Sequence, residues 1–234
     1  MKEDNQMKMD KKVFWNIIAQ GRAEADNDDE KFLEFVGSAL AVHSSTDIGQ
    51  FLAIMREYSR LAYVPALWDA AKLMNGLSCS DDDFTDFRAW LISCGQEVYL
   101  SALRDPDSLA GISSPTYCAP EHFSYLPDGI YEKKTRQRFI PRKLIQLDPA
   151  TRESIYADIQ YAKGVDRLHN CTEVLAALPR LCEKFGYSQA DAPAWPEWLP
   201  AAYKETWGNA TLLEYNKSKP HQRTKGSTHK DLAR

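Results

Sequence analysis

The chain has 234 residues, 44% of them apolar, and six Trp, enough for one large or two small domains with a real core. Its net charge of −4 is uneven: residues 1–140 carry 15 Lys/Arg against 22 Asp/Glu, and residues 141–234 carry 14 against 11. An acidic body argues against a dedicated nucleic-acid binder and suits a partner with a basic cleft. The opening Met-Lys-Glu-Asp-Asn-Gln lacks the apolar core of a secretory signal. No window approaches the about 18 apolar residues of a membrane span. Cys79, Cys94, Cys118, Cys171 and Cys182 form no CxxC pair. The expectation is a cytoplasmic protein with free thiols.

Asp10 caps a helix over 11–25 with Phe14, Trp15, Ile17, Ile18 and Gly21 on one face. The Asp26-Asn27-Asp28-Asp29 turn opens a second helix over 30–43. Thr46 or Asp47 caps a third, carrying Phe51, Leu52, Met55, Tyr58 and Leu61. Pro65 predicts a break near Tyr63-Val64 and a short helix over 66–75, closed by Gly76. Ser80 and Asp83 then form a capping box, and Asp81, Asp82 and Asp83 face the positive end of the helix dipole. Phe84, Phe87, Leu91, Val98 and Ala102 predict one helix running to the Asp105-Pro106 stop.

From 105 to 147 Pro and Gly cut the pattern, leaving a short helix near 120–136 and an extended Phe139-Ile140-Pro141-Arg142. A second regime begins at Asp148-Pro149, an N-cap with Pro at the first helical position. It predicts a helix to about Lys163, then a periodic run from Val165 to Gly186 with a kink at Pro179, together a helical hairpin. A Pro/Trp-rich connector (187–200) leads to a last helix over 201–215. The tail over 216–234 has six basic residues in its last 18 and reads as disordered. No segment alternates with period 2. The chain reads as all-α with seven to nine helices: an N-terminal domain of five to six helices over 9–140, a C-terminal region over 148–215, and the tail.

No residue set predicts a catalytic, cofactor or metal site. The aspartates of 81–86 lack the alternation and Gly of a Ca²⁺ loop and read as caps, with Arg88 one turn on as a pairing partner. The His residues show no zinc spacing. Cys118 and His122 form only a weak nucleophile pair. There is no GxSxG, GxGxxG or Walker loop. Tyr117, Tyr125 and Tyr131, with Glu132, read as a core helix with a solvated edge. Tyr156, Tyr161, Trp195, Trp198, Tyr203, Trp207 and Tyr215 crowd the C-terminal part. Such residues dominate binding hot spots, and a small helical domain does not easily bury seven of them, so core packing and a partner surface both stand.

Met9-Asp10, Phe14-Trp15, Leu67-Trp68-Asp69-Ala70-Ala71, Cys79-Ser80-Asp81-Asp82 with Phe84, and Phe87-Arg88-Ala89-Trp90-Leu91-Ile92 occur in an order that resembles a bacterial family known as domain of unknown function 4240. Gly95, Glu97-Val98, Asp105-Pro106-Asp107-Ser108-Leu109 and, more loosely, Tyr131-Glu132 with Lys134-Thr135 continue the resemblance over about 9–140. Asp83 departs from it, standing where relatives are expected to carry Gly, as does the Pro-broken stretch before Tyr131. The resemblance implies a compact helical domain without established catalytic residues, of the kind found beside polymorphic toxin genes. It implies an immunity protein that binds a cognate toxin domain, with an ADP-ribosyltransferase of an Rhs-type toxin as the specific candidate, and residues 141–234 recognising that toxin. No membrane or nucleic-acid partner is expected. The alternative is a ligand-binding or enzymatic domain built on Asp82, Arg88, Trp90, Tyr131 and Glu132.

Overall fold

The computed structural model describes residues 8–26, 28–112, 120–162 and 171–190. The helices are α1 (Lys11–Ala25), α2 (Asp29–Val42), α3 (Ser45–Leu61), α4 (Pro65–Met74), α5 (Asp81–Ser93), α6 (Gln96–Arg104), a 3-10 turn (Pro106–Gly111), α7 (Pro120–Thr135), α8 (Pro149–Asp158), α9 (Cys171–Ala177) and α10 (Pro179–Phe185). The fold is all-α, with no strand among the described residues. No described helix is long and apolar enough to cross a membrane.

Local chemistry sets most of these boundaries. Asp10 accepts the N–H groups of Lys12 and Val13, and Asp28 those of Glu30 and Lys31. Ser80 and Asp83 form the reciprocal capping box. Pro65 occupies the first turn of α4, and Pro149 that of α8 after the Asp148 cap. α3 begins two or three residues earlier than expected: its cap is Ser44, whose Oγ accepts the N–H of Asp47.

The core is built around α3. Phe14 and Trp15 of α1 meet Phe51 and Tyr58 of α3 and Tyr99 of α6, with ring centroids 4.7–5.8 Å apart. Trp15 Nε1 donates to the Tyr58 hydroxyl at 2.9 Å, and the Tyr99 hydroxyl donates to the Tyr58 carbonyl at 2.7 Å. The cluster thus buries polar atoms without orphaning them. α1 and α2 form a pair, and α7 crosses α2, α3 and α5. All ten residues of α4 are buried, Asp69 and Lys72 included.

Two expectations fail where the chain turns a corner. The single helix expected from Ser80 to Asp105 is two. α5 ends at Ser93, and Gly95, at φ +99°, starts α6 in a new direction. A positive φ of that size suits Gly, which has no Cβ to clash. The expected run through Pro179 is likewise broken, not kinked. Pro179 restricts the residue before it, Leu178 leaves helical geometry (φ −128°, ψ 50°), and α10 starts afresh.

The helix after Asp148 stops at Asp158 instead of continuing to Lys163, and the chain leaves it extended. Ala162 N–H then donates to the Leu103 carbonyl at 2.9 Å, drawing the strand-like exit against α6. The stretch preceding Tyr131 forms the 16-residue α7, with Pro127 inside it. Gly164, the periodic residues Val165 and Leu168, the 201–215 helix and the 216–234 tail lie outside the described residues.

Residues beyond 148 share the core with the N-terminal helices. Ile155, Ile159, Val174, Leu178, Leu181 and Cys182 are buried in the same cluster as Phe14, Tyr58 and Leu73. α8 lies against α1, and α10 lies against α4 and the 3-10 turn.

Candidate functional site

α4 and α5 meet at an aromatic box around Arg88. Trp68 stacks on Phe84 at 4.5 Å, and Tyr63 packs edge-on against Trp68 at 5.5 Å. The Arg88 guanidinium lies over the rings of Tyr63 and Phe84, at 4.8 and 5.1 Å, in cation–π geometry. Its N–H groups do not go to the neighbouring aspartates. Nε donates to the Phe84 carbonyl at 3.1 Å, one terminal nitrogen to the Ser59 carbonyl at 2.9 Å, and the other to Thr85 Oγ1 at 2.9 Å. The planar fork therefore ties the end of α3 to α5, and burial pulls the pKa of Arg88 down. Asp81 instead accepts the Tyr63 hydroxyl at 3.1 Å. Trp68 Nε1 donates to the Cys79 carbonyl at 3.1 Å, fixing the loop between α4 and α5.

The residues of the sequence-derived alternative are spread over several surroundings. Asp82 is exposed, Trp90 is buried against Phe87, and Glu132 is exposed on α7. Arg88 and Trp90 leave α5 roughly 200° apart at about 100° per residue. Tyr131 is buried, its hydroxyl 3.3 Å from Gln137 Oε1. Sequence reasoning missed Tyr63 and Trp68 as the partners of Arg88. The signal was available in Trp68, which shares a motif with Asp69, but no spacing rule connects it to a residue twenty positions on.

A second polar cluster joins α3 to α8. Glu57 is 3% exposed. It binds Arg60 at 2.6 Å, accepts the Tyr156 hydroxyl at 2.7 Å and lies 4.0 Å from Arg152. Arg60 also hydrogen-bonds the Tyr156 oxygen. Burial works to raise the pKa of Glu57, but the hydrogen bond and charge of Arg60, helped by Tyr156 and Arg152, hold it below the ordinary glutamate value. The Tyr156 hydroxyl is pushed up to about 12, first by burial and then by Glu57. Tyr161 donates to the Leu61 carbonyl at 2.9 Å. Of the seven aromatics expected at a partner surface, Tyr156 and Tyr161 thus turn their hydroxyls inward and anchor the chain after α8. Trp195, Trp198, Tyr203, Trp207 and Tyr215 lie outside the described residues.

Among the thiols, burial pushes Cys79 and Cys94 up to about 12 and Cys182 to about 11. Such thiols are poor nucleophiles at neutral pH. No group of three His, Cys, Asp or Glu among the described residues is placed to hold a metal ion. His43 closes α2, buried, with no hydrogen-bond partner for Nδ1.

The site is therefore an arginine-centred aromatic box beside exposed carboxylates, with a separate ion cluster that joins α8 to α3. No curated protein and no solved structure matches the chain. The model of a family described as a protein of unknown function (DUF4240) matches residues 9–133. That span carries every residue of the Arg88 box and more than half of the chain, which accordingly belongs to this family.

Proposed function

We propose that this chain is a cytoplasmic immunity protein that binds a cognate bacterial toxin domain and neutralises it by covering its active site or target-binding face. The observation that carries this reading is the acidic surface of the N-terminal helices. Asp81 and Asp82 stand exposed at the start of α5, and Glu24, Asp26, Asp28 and Glu30 stand exposed around the α1–α2 corner. A toxin that grips NAD or nucleic acid needs a cationic cleft, and carboxylates facing such a cleft accelerate encounter. An ADP-ribosyltransferase toxin is the specific candidate. The mechanism is steric and uses no chemistry of its own, with the region beyond residue 148 completing recognition. The test is co-expression with the toxin encoded by the adjacent gene. Rescue of growth, with co-purification that weakens as salt rises, is the expected result. Absence of both rescue and co-purification would overturn the reading.

A second reading, a small-ligand or enzymatic domain, is favoured by one observation: Arg88 sits half-buried on two aromatic rings with Asp81 within reach of Tyr63. It predicts that anionic or nucleotide ligands raise the melting temperature of the wild type and not of Arg88→Lys. Equal shifts in both proteins would remove it.

A further inference from the structure

The acidic character of the N-terminal part conceals one sharply basic element. Between Lys133 and Lys143 there are six Lys/Arg and no Asp or Glu in eleven residues. Lys133, Lys134, Arg136, Arg138, Arg142 and Lys143 are all exposed. None of them has a carboxylate partner among the described residues. Compensation of the α7 dipole accounts for cations in the last helical turn. It does not account for four more in the loop beyond.

The loop is held in shape. Arg136, at φ +63°, ends α7. Ile140 is buried, and its N–H lies 3.4 Å from Asp128 Oδ1. Gln50 Nε2 donates to the carbonyls of Leu144 and Gln146, at 2.8 and 3.1 Å. Gly49 lets the backbone of Leu144 come so close that a Cβ there would stand 2.7 Å from its carbonyl oxygen. The backbone is thus clamped to α3 while the cationic side chains face outward.

An exposed aromatic ring lies within the charged stretch. The large hydrophobic residues exposed among the described residues are Val42, Tyr125 and Phe139. Phe139 lies inside the basic loop with the Arg138 guanidinium 5.2 Å from its ring. Tyr125 lies on α7 eight residues before Lys133, roughly 80° away around the helix at about 100° per residue. Lys134 Nζ donates to the Ala41 carbonyl at 3.0 Å, which brings the end of α2, with Val42, beside the last turn of α7. A shallow depression lined by Ala41, Ile130, Lys133 and Lys134 lies at that junction.

We propose that this face binds single-stranded nucleic acid. The cations track the phosphates, and Phe139 supplies a platform on which an unpaired base stacks. An acidic polypeptide would meet the same charge, and the flat face of an unpaired base is what an exposed ring inside a cationic loop adds for a single strand. A duplex keeps its bases inside the stack, out of reach of Phe139. The proposal is independent of toxin binding, which the acidic faces carry.

The test uses the full chain and fluorescence anisotropy of fluorescein-labelled 20-nucleotide oligo(U) and oligo(dT). All variants keep the basic tail, so only the loop differs. The double variant Arg138→Glu/Arg142→Glu is expected to weaken binding about tenfold or more and to flatten the salt dependence, since single strands lose a slope of about 0.7 per phosphate contact. Phe139→Ala is expected to weaken binding about fivefold or more with the salt slope unchanged, as loss of one stacked base predicts. Retained melting temperatures, expected at exposed positions, establish that the variants fold. Unchanged affinity in the double variant would overturn the proposal. So would displacement of the oligonucleotide by polyglutamate at equal charge, or duplex binding as tight as single-strand binding with no effect of Phe139→Ala.

Discussion

The carboxylate of Asp107 accepts the backbone N–H groups of both Arg180 and Leu181, at 3.1 and 2.8 Å. It caps α10 from a turn more than seventy residues earlier in the chain. Leu178, at the N-cap position of α10, makes no side-chain cap of its own. Asp107 also binds Arg180 Nε at 2.9 Å, and Asp105 takes a terminal nitrogen of the same guanidinium at 2.5 Å. The Asp105-Pro106-Asp107 segment therefore serves as a dock for a helix outside the span of the family match. Asp107→Ala is expected to cost about 1–3 kcal/mol, combining a lost cap with buried N–H groups left unpaired. Urea unfolding measures the cost. Hydrogen exchange should rise selectively in residues 171–186, and unchanged protection there would show that the cap does not hold α10.

The pH dependence of the α3–α8 junction follows from Glu57. Its pKa is lowered in the folded protein. Its contribution to stability is therefore fully present above the unfolded glutamate value and disappears as pH falls through the lower folded value. Stability from this group should be flat from about pH 7 to about pH 5 and fall in stronger acid. Glu57→Gln should cost about 2–3 kcal/mol at neutral pH, because Arg60 loses its charged partner, and should reduce the acid-dependent loss. Tyr156→Phe should cost about 1 kcal/mol. Urea midpoints measured from about pH 7 down into the acid range below about pH 4 check both, and an unaltered acid profile in Glu57→Gln would refute the assignment.

Two glycines are expected to fail for different reasons. At Gly95 nothing lies within 4 Å of a built Cβ, but φ is +99°, so Gly95→Ala should cost about 1–3 kcal/mol through backbone strain alone. At Gly49 the backbone is unremarkable and the obstacle is the Leu144 carbonyl, 2.7 Å away. Gly49→Ala should cost about 1–3 kcal/mol by forcing that turn off α3. Hydrogen exchange separates the two. Only Gly49→Ala should expose residues 141–147, and protection that survives there would show that the contact relaxes without cost.

Thiol chemistry provides a further check. With their pKa values pushed up to about 12, about 12 and about 11, Cys79, Cys94 and Cys182 carry almost no thiolate at pH 8. A disulfide reagent should label them slowly in the native protein and rapidly in urea, as mapped by peptide mass spectrometry. Rapid native labelling of Cys79 would contradict the raised pKa of this half-buried thiol.

Much of this architecture is legible in the residues. The caps at Asp10, Ser80 and Asp148 and the starts at Pro65 and Pro149 depend on side chains within one turn of the backbone they satisfy. The apolar periods of α1, α2 and α3 mark their buried faces before any packing is known. The break at Gly95 was not legible, because Gly inside a periodic run is compatible with continuing the helix and with ending it. The basic loop is hidden by averaging: a charge count divided at residue 140 splits its cations and pools four of the six with the acidic residues preceding Lys133, and neither their exposure nor the clamp that Gly49 and Gln50 provide is a local property.

What the sequence determined by itself is the all-α class, most helix boundaries and membership of the family, because these depend on interactions spanning three or four residues or on motif order. What only the tertiary structure decided is the use of the charged and aromatic residues. Arg88 binds carbonyls instead of the aspartates one turn before it, Tyr156 serves an ion cluster on α3, and Asp107 caps a helix from a distant segment. Each outcome rests on burial, where a charged or polar group must find partners among whatever backbone and side chains the fold brings near, and sequence distance does not record that proximity.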